Sequence, residues 1–315
     1  MNLRFVEAFY WVVTLRSITR AAEKLHLTQS AMSSRVAALE QELGTLLLDR
    51  RDKRFRVTAA GSRFLGFAEK LLALQREIKL EMGSTQPRTL SLRLGAIESV
   101  LHSWLIDWVQ SVREGRDGLE LELTVETTPV LLDQVRRGTL DMIFAALPAA
   151  GDSLRSRPLP PMEMVFVGHR DRHRHRQYSL ADLAQHELLT FQRGSQPHVA
   201  LLDQFRRAGL QPPRVHAISS ISAMVQLVES GVGVATLPRA AVQRLAQRLP
   251  LKLLRCSAPP APLPVHMTWR HDPTSGVVGD VVDAVSAFAV ASPIRHARTS
   301  PRDALPGSST KSMKT

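Results

Sequence analysis

The chain has 315 residues, 44% hydrophobic and 22% charged, with a formal net charge of +12. That length exceeds one small core and gives a prior of two or three domains, and no apolar run reaches the roughly 18 residues of a membrane span. Cys256 is the one cysteine, which excludes a disulfide within these residues and leaves a thiol switch no resolving partner among them.

Residues 1–60 hold 10 Lys and Arg against 6 Asp and Glu, and residues 291–315 hold 5 against 1. Basic excess at both ends points to an anionic partner, nucleic acid before membrane surface. The opening Met1-Asn2-Leu3-Arg4-Phe5 lacks the pattern of a secretory signal, so the cytoplasm is the expected compartment.

Leu3, Val6, Phe9 and Val13 recur at helical spacing and predict an amphipathic first helix. Ser17 caps a second helix over Ile18 to His26. Thr28 caps a third from about Gln29 to Leu43, with Ala31, Val36, Leu39 and Leu43 as candidate buried positions and Gly44 as its stop. Leu46-Leu47-Leu48 and Phe55-Arg56-Val57 can pair as a hairpin across Arg51-Asp52-Lys53. Thr58 caps a long helix from about Ala59 to Met82. Phe64, Phe67, Leu71, Leu74 and Ile78 form a heptad-like seam on it, with Leu65 and Leu72 alongside, and a partner helix is the simplest cover.

After a linker at Gly83 to Pro87, strands and helices alternate: a strand at Leu90–Ala96, a helix at Val100–Val112, a strand at Leu119–Thr127, a helix at Val130–Arg137 and a strand at Met142–Ala146. Such alternation implies a mostly parallel sheet. A Pro-rich stretch, Pro148 to Pro161, ends this run. A second run begins at Met164, with a helix near His198–Ala208, a strand near Val215–Ile218, a helix at Ile221–Ser230 and a strand at Gly231–Ala235. The polar, basic stretch from about Arg295 onward is expected to be disordered.

Two helices joined by a tight turn make a helix-turn-helix, whose second member presents its N-terminal residues to base edges in the major groove. The candidates for DNA contact are Thr28, Gln29, Ser30, Ser33, Ser34 and Arg35. Gln29 suits adenine, and Arg35 suits guanine or phosphate. Arg51, Lys53 and Arg54 of the hairpin suit the phosphate backbone.

The run Ser17-Ile18-Thr19-Arg20-Ala21-Ala22-Glu23-Lys24-Leu25-His26-Leu27-Thr28-Gln29-Ser30-Ala31-Met32-Ser33 resembles the helix-turn-helix of LysR-type transcriptional regulators. The likeness continues through Leu39-Glu40-Gln41-Glu42-Leu43-Gly44, Leu47-Leu48-Asp49-Arg50 and Val57-Thr58-Ala59-Ala60-Gly61. The chain departs from the family pattern at Ser30 and Ala59, where Pro is common, at Leu48 for Phe, and at Ser34 for Arg. Further on, Gly138-Thr139-Leu140-Asp141-Met142-Ile143 and Val228 to Pro238 are similar to segments of LysR-type effector domains.

The resemblance implies an α/β protein overall. It consists of a mostly α winged helix-turn-helix at 1–58, a dimerisation helix at 59–83, a hinge at 84–88, and a two-lobed, periplasmic-binding-protein-like effector domain at 89–295. Lobe I would be 89–160 plus 267–295, lobe II 161–266, and 296–315 a disordered tail. It further implies promoter binding to double-stranded DNA as a homodimer or homotetramer, with RNA polymerase a further candidate partner, no membrane and no cofactor. A small-molecule effector of unknown identity would bind between the lobes.

Ligands in α/β folds collect where strands give way to helix N-termini. That rule, with the resemblance, selects Glu98, Ser99, Val100, Thr127, Thr128, Gln192, Arg193, Ser195, Ser219 and Ile221. Arg193 suits a carboxylate, whereas Glu98 opposes a simple anion pocket. The run His169 to Arg176 interleaves three histidines with four arginines and reads as a solvated basic loop rather than a metal site. No catalytic motif or constellation occurs. Three alternatives stay open: a regulator of the same fold without effector control, a solute receptor, and a catalytic α/β domain.

Overall fold

The computed structural model describes residues 1–49, 56–82, 90–115, 119–151, 153–246, 249–273 and 277–298. The expected hinge at 84–88, the hairpin residues Arg51, Lys53 and Arg54, and the tail beyond 298 lie outside them.

Helices α1 (Leu3–Leu15), α2 (Ile18–Lys24) and α3 (Gln29–Leu43) form the N-terminal unit. Asn2, Ser17 and Thr28 stand at their N-caps, and each side chain accepts a backbone N–H two or three residues on. Gly44 closes α3 in the left-handed region at φ 65°. The buried face of α3 differs from the expectation. Met32, Val36, Leu39 and Glu40 are buried, while Ala31 is half-buried and Leu43 is 37% exposed. Val36 and Leu39 are buried as expected, Met32 takes the inward place of its neighbour Ala31, and Glu40 is taken inside because its carboxylate has backbone partners there.

Strands β1 (Leu48–Asp49) and β2 (Arg56–Val57) pair antiparallel as the base of a wing. Thr58 then caps α4 (Ala59–Glu81), its hydroxyl accepting the Gly61 N–H at 2.9 Å and donating to the Leu46 carbonyl at 2.8 Å. The apolar seam of α4 divides. Phe64, Leu65, Ala68 and Leu72 pack into the N-terminal core beside Phe9, whereas Phe67, Leu74 and Ile78 are 62%, 53% and 51% exposed.

Two five-stranded sheets follow. The first draws on β3 (Leu90–Ala96), β4 (Leu119–Val125), β5 (Met142–Ala145) and β6 (Leu154–Met162). The second draws on β7 (Met164–His169), β8 (Leu188–Phe191), β9 (Val215–Ile218), β10 (Val234–Pro238) and β11 (Leu251–Leu254). The chain then returns to the first sheet as β12 (Leu263–Arg270). The strand orders are β4-β3-β5-β12-β6 and β11-β7-β10-β8-β9. Strand β6 was not foreseen, since its three prolines argue against a sheet. It lies at an edge, paired among the described residues with β12 alone, where a missing N–H costs little. The return strand begins at Leu263 rather than Met267, and β10 begins at Val234 rather than Gly231, which turns at φ 76°.

The helices of lobe I begin with α5 (Glu98–Val100), which runs through a π-helical turn (Leu101–Leu105) into α6 (Ile106–Gly115). That turn buries Trp104 edge-on to Phe144, with ring centroids 5.3 Å apart. Helix α7 (Thr128–Arg137) covers the other face through Leu131 and Val135. Lobe II carries α8 (Leu180–Leu183), α9 (Gln196–Arg207), α10 (Ile221–Glu229) and α11 (Arg239–Leu245). Helix α12 (Val277–Arg298) returns to lobe I, burying Val281, Val282 and Val285. Residues 296–298, expected in the tail, are its last turn.

The N-terminal unit rests on lobe I. The Tyr10 hydroxyl donates to the His271 carbonyl at 2.9 Å, and Lys24 pairs with Asp141. Buried Arg270 lies beneath this contact and donates to the Val135 and Arg136 carbonyls at the C-terminus of α7, at 2.6 and 2.8 Å. A guanidinium there meets the negative end of the helix dipole.

Candidate DNA-reading helix and interlobe cleft

Thr28, Gln29, Ser30 and Ser34 are exposed at the start of α3, and Ser33 and Arg35 are half-buried on the same helix. Met32 and Val36 take the inward face, leaving positions 30 and 34 outward, while Gln29, on the same side as Met32, is exposed because it is the first residue of the helix. Thr28 has a local task. Its oxygen accepts the Ala31 N–H at 3.2 Å and lies 3.0 Å from Ser30 Oγ. These are the contacts of a capping residue, and they draw the hydroxyls of Thr28 and Ser30 together at the helix tip.

The wing is held by Glu40, whose Oε1 accepts the N–H groups of Leu47 and Leu48 at 2.8 and 2.9 Å. Those N–H groups lie where α3 gives way to β1, so one carboxylate fixes the wing to the reading helix. Sequence reasoning assigned Glu40 no role. The only signal was an acidic residue at the helical spacing of the inward stripe.

Between the lobes lies a cleft of about 530 Å³. Glu98, Ser99, Thr127 and Thr128 line it from lobe I, and Gln192, Arg193, Ser195 and Ser219 from lobe II. Two residues selected from the sequence do not line it. Val100 and Ile221 are fully buried, their side chains turned into the cores of their own lobes. Ile221 contributes instead through its backbone N–H, which donates to Glu98 Oε2 at 2.8 Å. Ser220, between Ser219 and Ile221 in the same loop, lines the cleft and caps α10.

The apolar wall was also missed. It consists of Val125, Ala146, Leu147 and Leu263, with Ile97 and Phe191 beside them. Ala146 and Leu147 directly follow β5, so the strand-end rule that selected Thr127 would have found them. Leu263 opens a strand and carried no such signal.

The charges in the cleft are few. Arg193 and Glu126 are exposed in it, and among the described residues neither has an oppositely charged partner. Glu98 is partnered by Ser220, Ile221 and His102. Burial by itself would raise its carboxyl, but those hydrogen bonds together hold it below the ordinary carboxylate value. Across the lobes, Arg244 of α11 also pairs with Asp107 of α6.

The family described as bacterial regulatory helix-turn-helix protein, lysR family, matches residues 3–62, and the LysR substrate binding domain matches residues 85–289. The chain belongs to the LysR family.

A LysR-type chain of this kind is a DNA-binding transcriptional regulator with an effector-binding domain. Among its relatives is a probable hydrogen peroxide-inducible genes activator of Mycobacterium avium, 30% identical over 294 residues, covering 89% of this chain and 94% of that protein. The HTH-type transcriptional regulator HdfR of Yersinia enterocolitica is 34% identical over 156 residues, half of this chain and 53% of that one. Among solved structures, a full-length OxyR variant from Pseudomonas aeruginosa aligns with a TM-score of 0.61 at 23% identity, covering 92% and 94% of the two chains. CbnR in complex with its target DNA aligns at 0.54 and 22%, covering 91% and 100%. These last two likenesses establish the fold.

No helix among the described residues of this LysR-type regulator is long and apolar enough to cross a membrane.

Proposed function

We propose that this regulator binds promoter DNA as a self-associated pair or tetramer, in the cytoplasm, and that a small molecule held between its lobes alters that binding. The observation that carries this reading is the cleft itself. It is lined from both lobes by strand ends and helix N-termini, and lobe I is in contact with the DNA-reading unit. A ligand that prefers one arrangement of the lobes shifts the population of that arrangement, and with it the placement of the reading helices.

In this reading Gln29, Ser30, Ser33, Ser34 and Arg35 face the groove, Thr28 caps their helix, and Arg51, Lys53 and Arg54 approach phosphate. Residues 1–58 form the reading unit, 59–83 the pairing helix and 84–88 a hinge. The effector domain follows to about 295, with β6 and β12 both assigned to lobe I. The exposed Phe67, Leu74 and Ile78 supply the apolar face for a second copy. The chain is read as non-enzymatic because its relatives are described as transcriptional regulators and activators.

The effector is not read as an oxidant acting through a disulfide, despite the description of the Mycobacterium avium relative. A thiol–disulfide switch within one chain needs two sulfurs, and this chain has Cys256 alone.

The test is a mobility-shift assay on the DNA upstream of the gene. Specific binding is expected that falls steeply with salt, fails in the Gln29→Ala, Arg35→Ala double variant, and responds to a member of a metabolite panel that also raises the melting temperature. Unchanged binding by the double variant would overturn the reading-helix assignment. A panel that shifts neither binding nor melting favours a regulator without effector control.

A further inference from the structure

Two helix N-termini of lobe II open on the cleft, and they differ in what fills them. Helix α10 begins at Ile221, with its positive end toward lobe I. Glu98 occupies it: Oε2 accepts the Ile221 N–H at 2.8 Å, Oε1 accepts the Ser220 hydroxyl at 3.3 Å, and His102 Nε2 stands 3.5 Å from Oε1. The chain's own carboxylate therefore sits where an anion from solution would sit.

Helix α9, of 12 residues, is not filled in this way. Its N-cap, Ser195, makes no capping bond, and its buried hydroxyl has no hydrogen-bond partner among the described residues. A buried hydroxyl without a partner is costly in a finished site. Arg193, two residues earlier in the same cleft lining, has no oppositely charged partner among the described residues. Between this corner and Glu98 the wall is apolar, through Ile97, Leu147, Phe191 and Leu263.

We propose that the cleft selects monocarboxylates with an apolar body and rejects dicarboxylates, because Glu98 fills the second anion position from within the chain. Glu98 is then a specificity-determining residue. This rests on the reading of the cleft as the effector site. The ligand carboxylate accepts from the Ser195 hydroxyl and from the Gln196 and His198 N–H groups, Pro197 between them having none, and pairs with Arg193. Its body covers the apolar wall. A second carboxylate at the far end would meet Glu98 or have to displace it, and like charges in contact are repelled. Exposed Glu126 on the lobe I rim adds to that repulsion and leaves room for a ligand ammonium group.

Calorimetry on the full-length protein tests this with benzoate and hexanoate against terephthalate and adipate. In the wild type the monoacids are expected to bind at least about tenfold more tightly than the diacids, a ratio equivalent to ~1.4 kcal/mol. Glu98→Ala opens the second position, and the ratio is expected to fall by about tenfold. Glu98→Gln removes the charge but keeps an acceptor for Ile221, so it is expected to move the ratio in the same direction by less. It also serves if the alanine variant, checked by circular dichroism, does not fold. Diacids that bind the wild type as well as monoacids, or a ratio unchanged in both variants, would overturn the proposal. So would failure of all four acids to bind, while the cleft reading would still stand on the metabolite panel. Binding that survives Ser195→Trp, which places an indole at the head of α9 where the carboxylate would sit, would instead overturn the cleft as the effector site.

Discussion

Lys24 Nζ lies 3.1 Å from Asp141 Oδ1, and this pair fastens the second helix of the DNA-reading unit to the start of β5, the central strand of the first sheet. Asp141 is also held by Arg93, whose Nε and Nη2 donate to it at 3.0 and 2.7 Å. Burial pushes the Asp141 carboxyl up, but the Arg93 hydrogen bonds and the Lys24 and Arg93 charges together hold it below its ordinary value.

A carboxyl depressed in the folded state contributes stability that is complete above its unfolded value, near about 4, and is lost as pH falls through the folded value. Asp141→Asn leaves Arg93 and Lys24 without their carboxylate and is expected to cost about 3 kcal/mol at neutral pH. Urea denaturation at several pH values checks this. The gap between variant and wild type should be constant above pH ~5 and should close in acid. A gap that widens in acid would refute it.

Glu40→Ala removes the acceptor of two wing N–H groups while leaving both buried, and a loss of about 2–3 kcal/mol is expected. DNA affinity should fall with it, although Glu40 faces away from the groove. Glu40→Gln keeps one neutral acceptor and should lie between the two in thermal melting.

Leu74→Glu with Ile78→Glu places charge on the outward seam of α4 without touching the inward Ala68 and Leu72. The fold should persist by circular dichroism while sedimentation shows the monomer. Each buried leucine or isoleucine is worth about 2 kcal/mol at such a seam. An undisturbed oligomer would place the pairing surface elsewhere.

Gly138 has φ 77°, and a β-carbon there would lie 2.6 Å from Leu15 of α1. Gly138→Ala is expected to cost about 1–3 kcal/mol through backbone strain alone, with a further loss where the two units touch. Pairing it with Leu15→Ala should recover the contact part but not the strain, as a double-mutant cycle would read.

Much of the fold was legible because its signals are local. Ser17, Thr28 and Gly44 sit at the helix ends their chemistry predicts, and the strand expected at Leu119–Thr127 is β4, ending two residues earlier. Strand β6 was not legible, because its prolines are permitted only by an edge position that β12, a hundred residues later, creates. The cleft was half legible for the same reason. Strand ends announce Thr127 and Ser195, but the tie between Glu98 and Ile221 spans 123 residues. A carboxylate read in isolation opposed an anion site, and only its partner shows that it occupies one.

Helix α7 starts at the cleft with Thr128 and stops at Gly138, against Leu15. Its ten residues span about 15 Å as a rigid rod, and Arg270 grips its far end. Motion imposed at one tip therefore arrives at the other with little loss. News of an occupied sensor has a mechanical route to the reading head that bypasses the covalent connection between them.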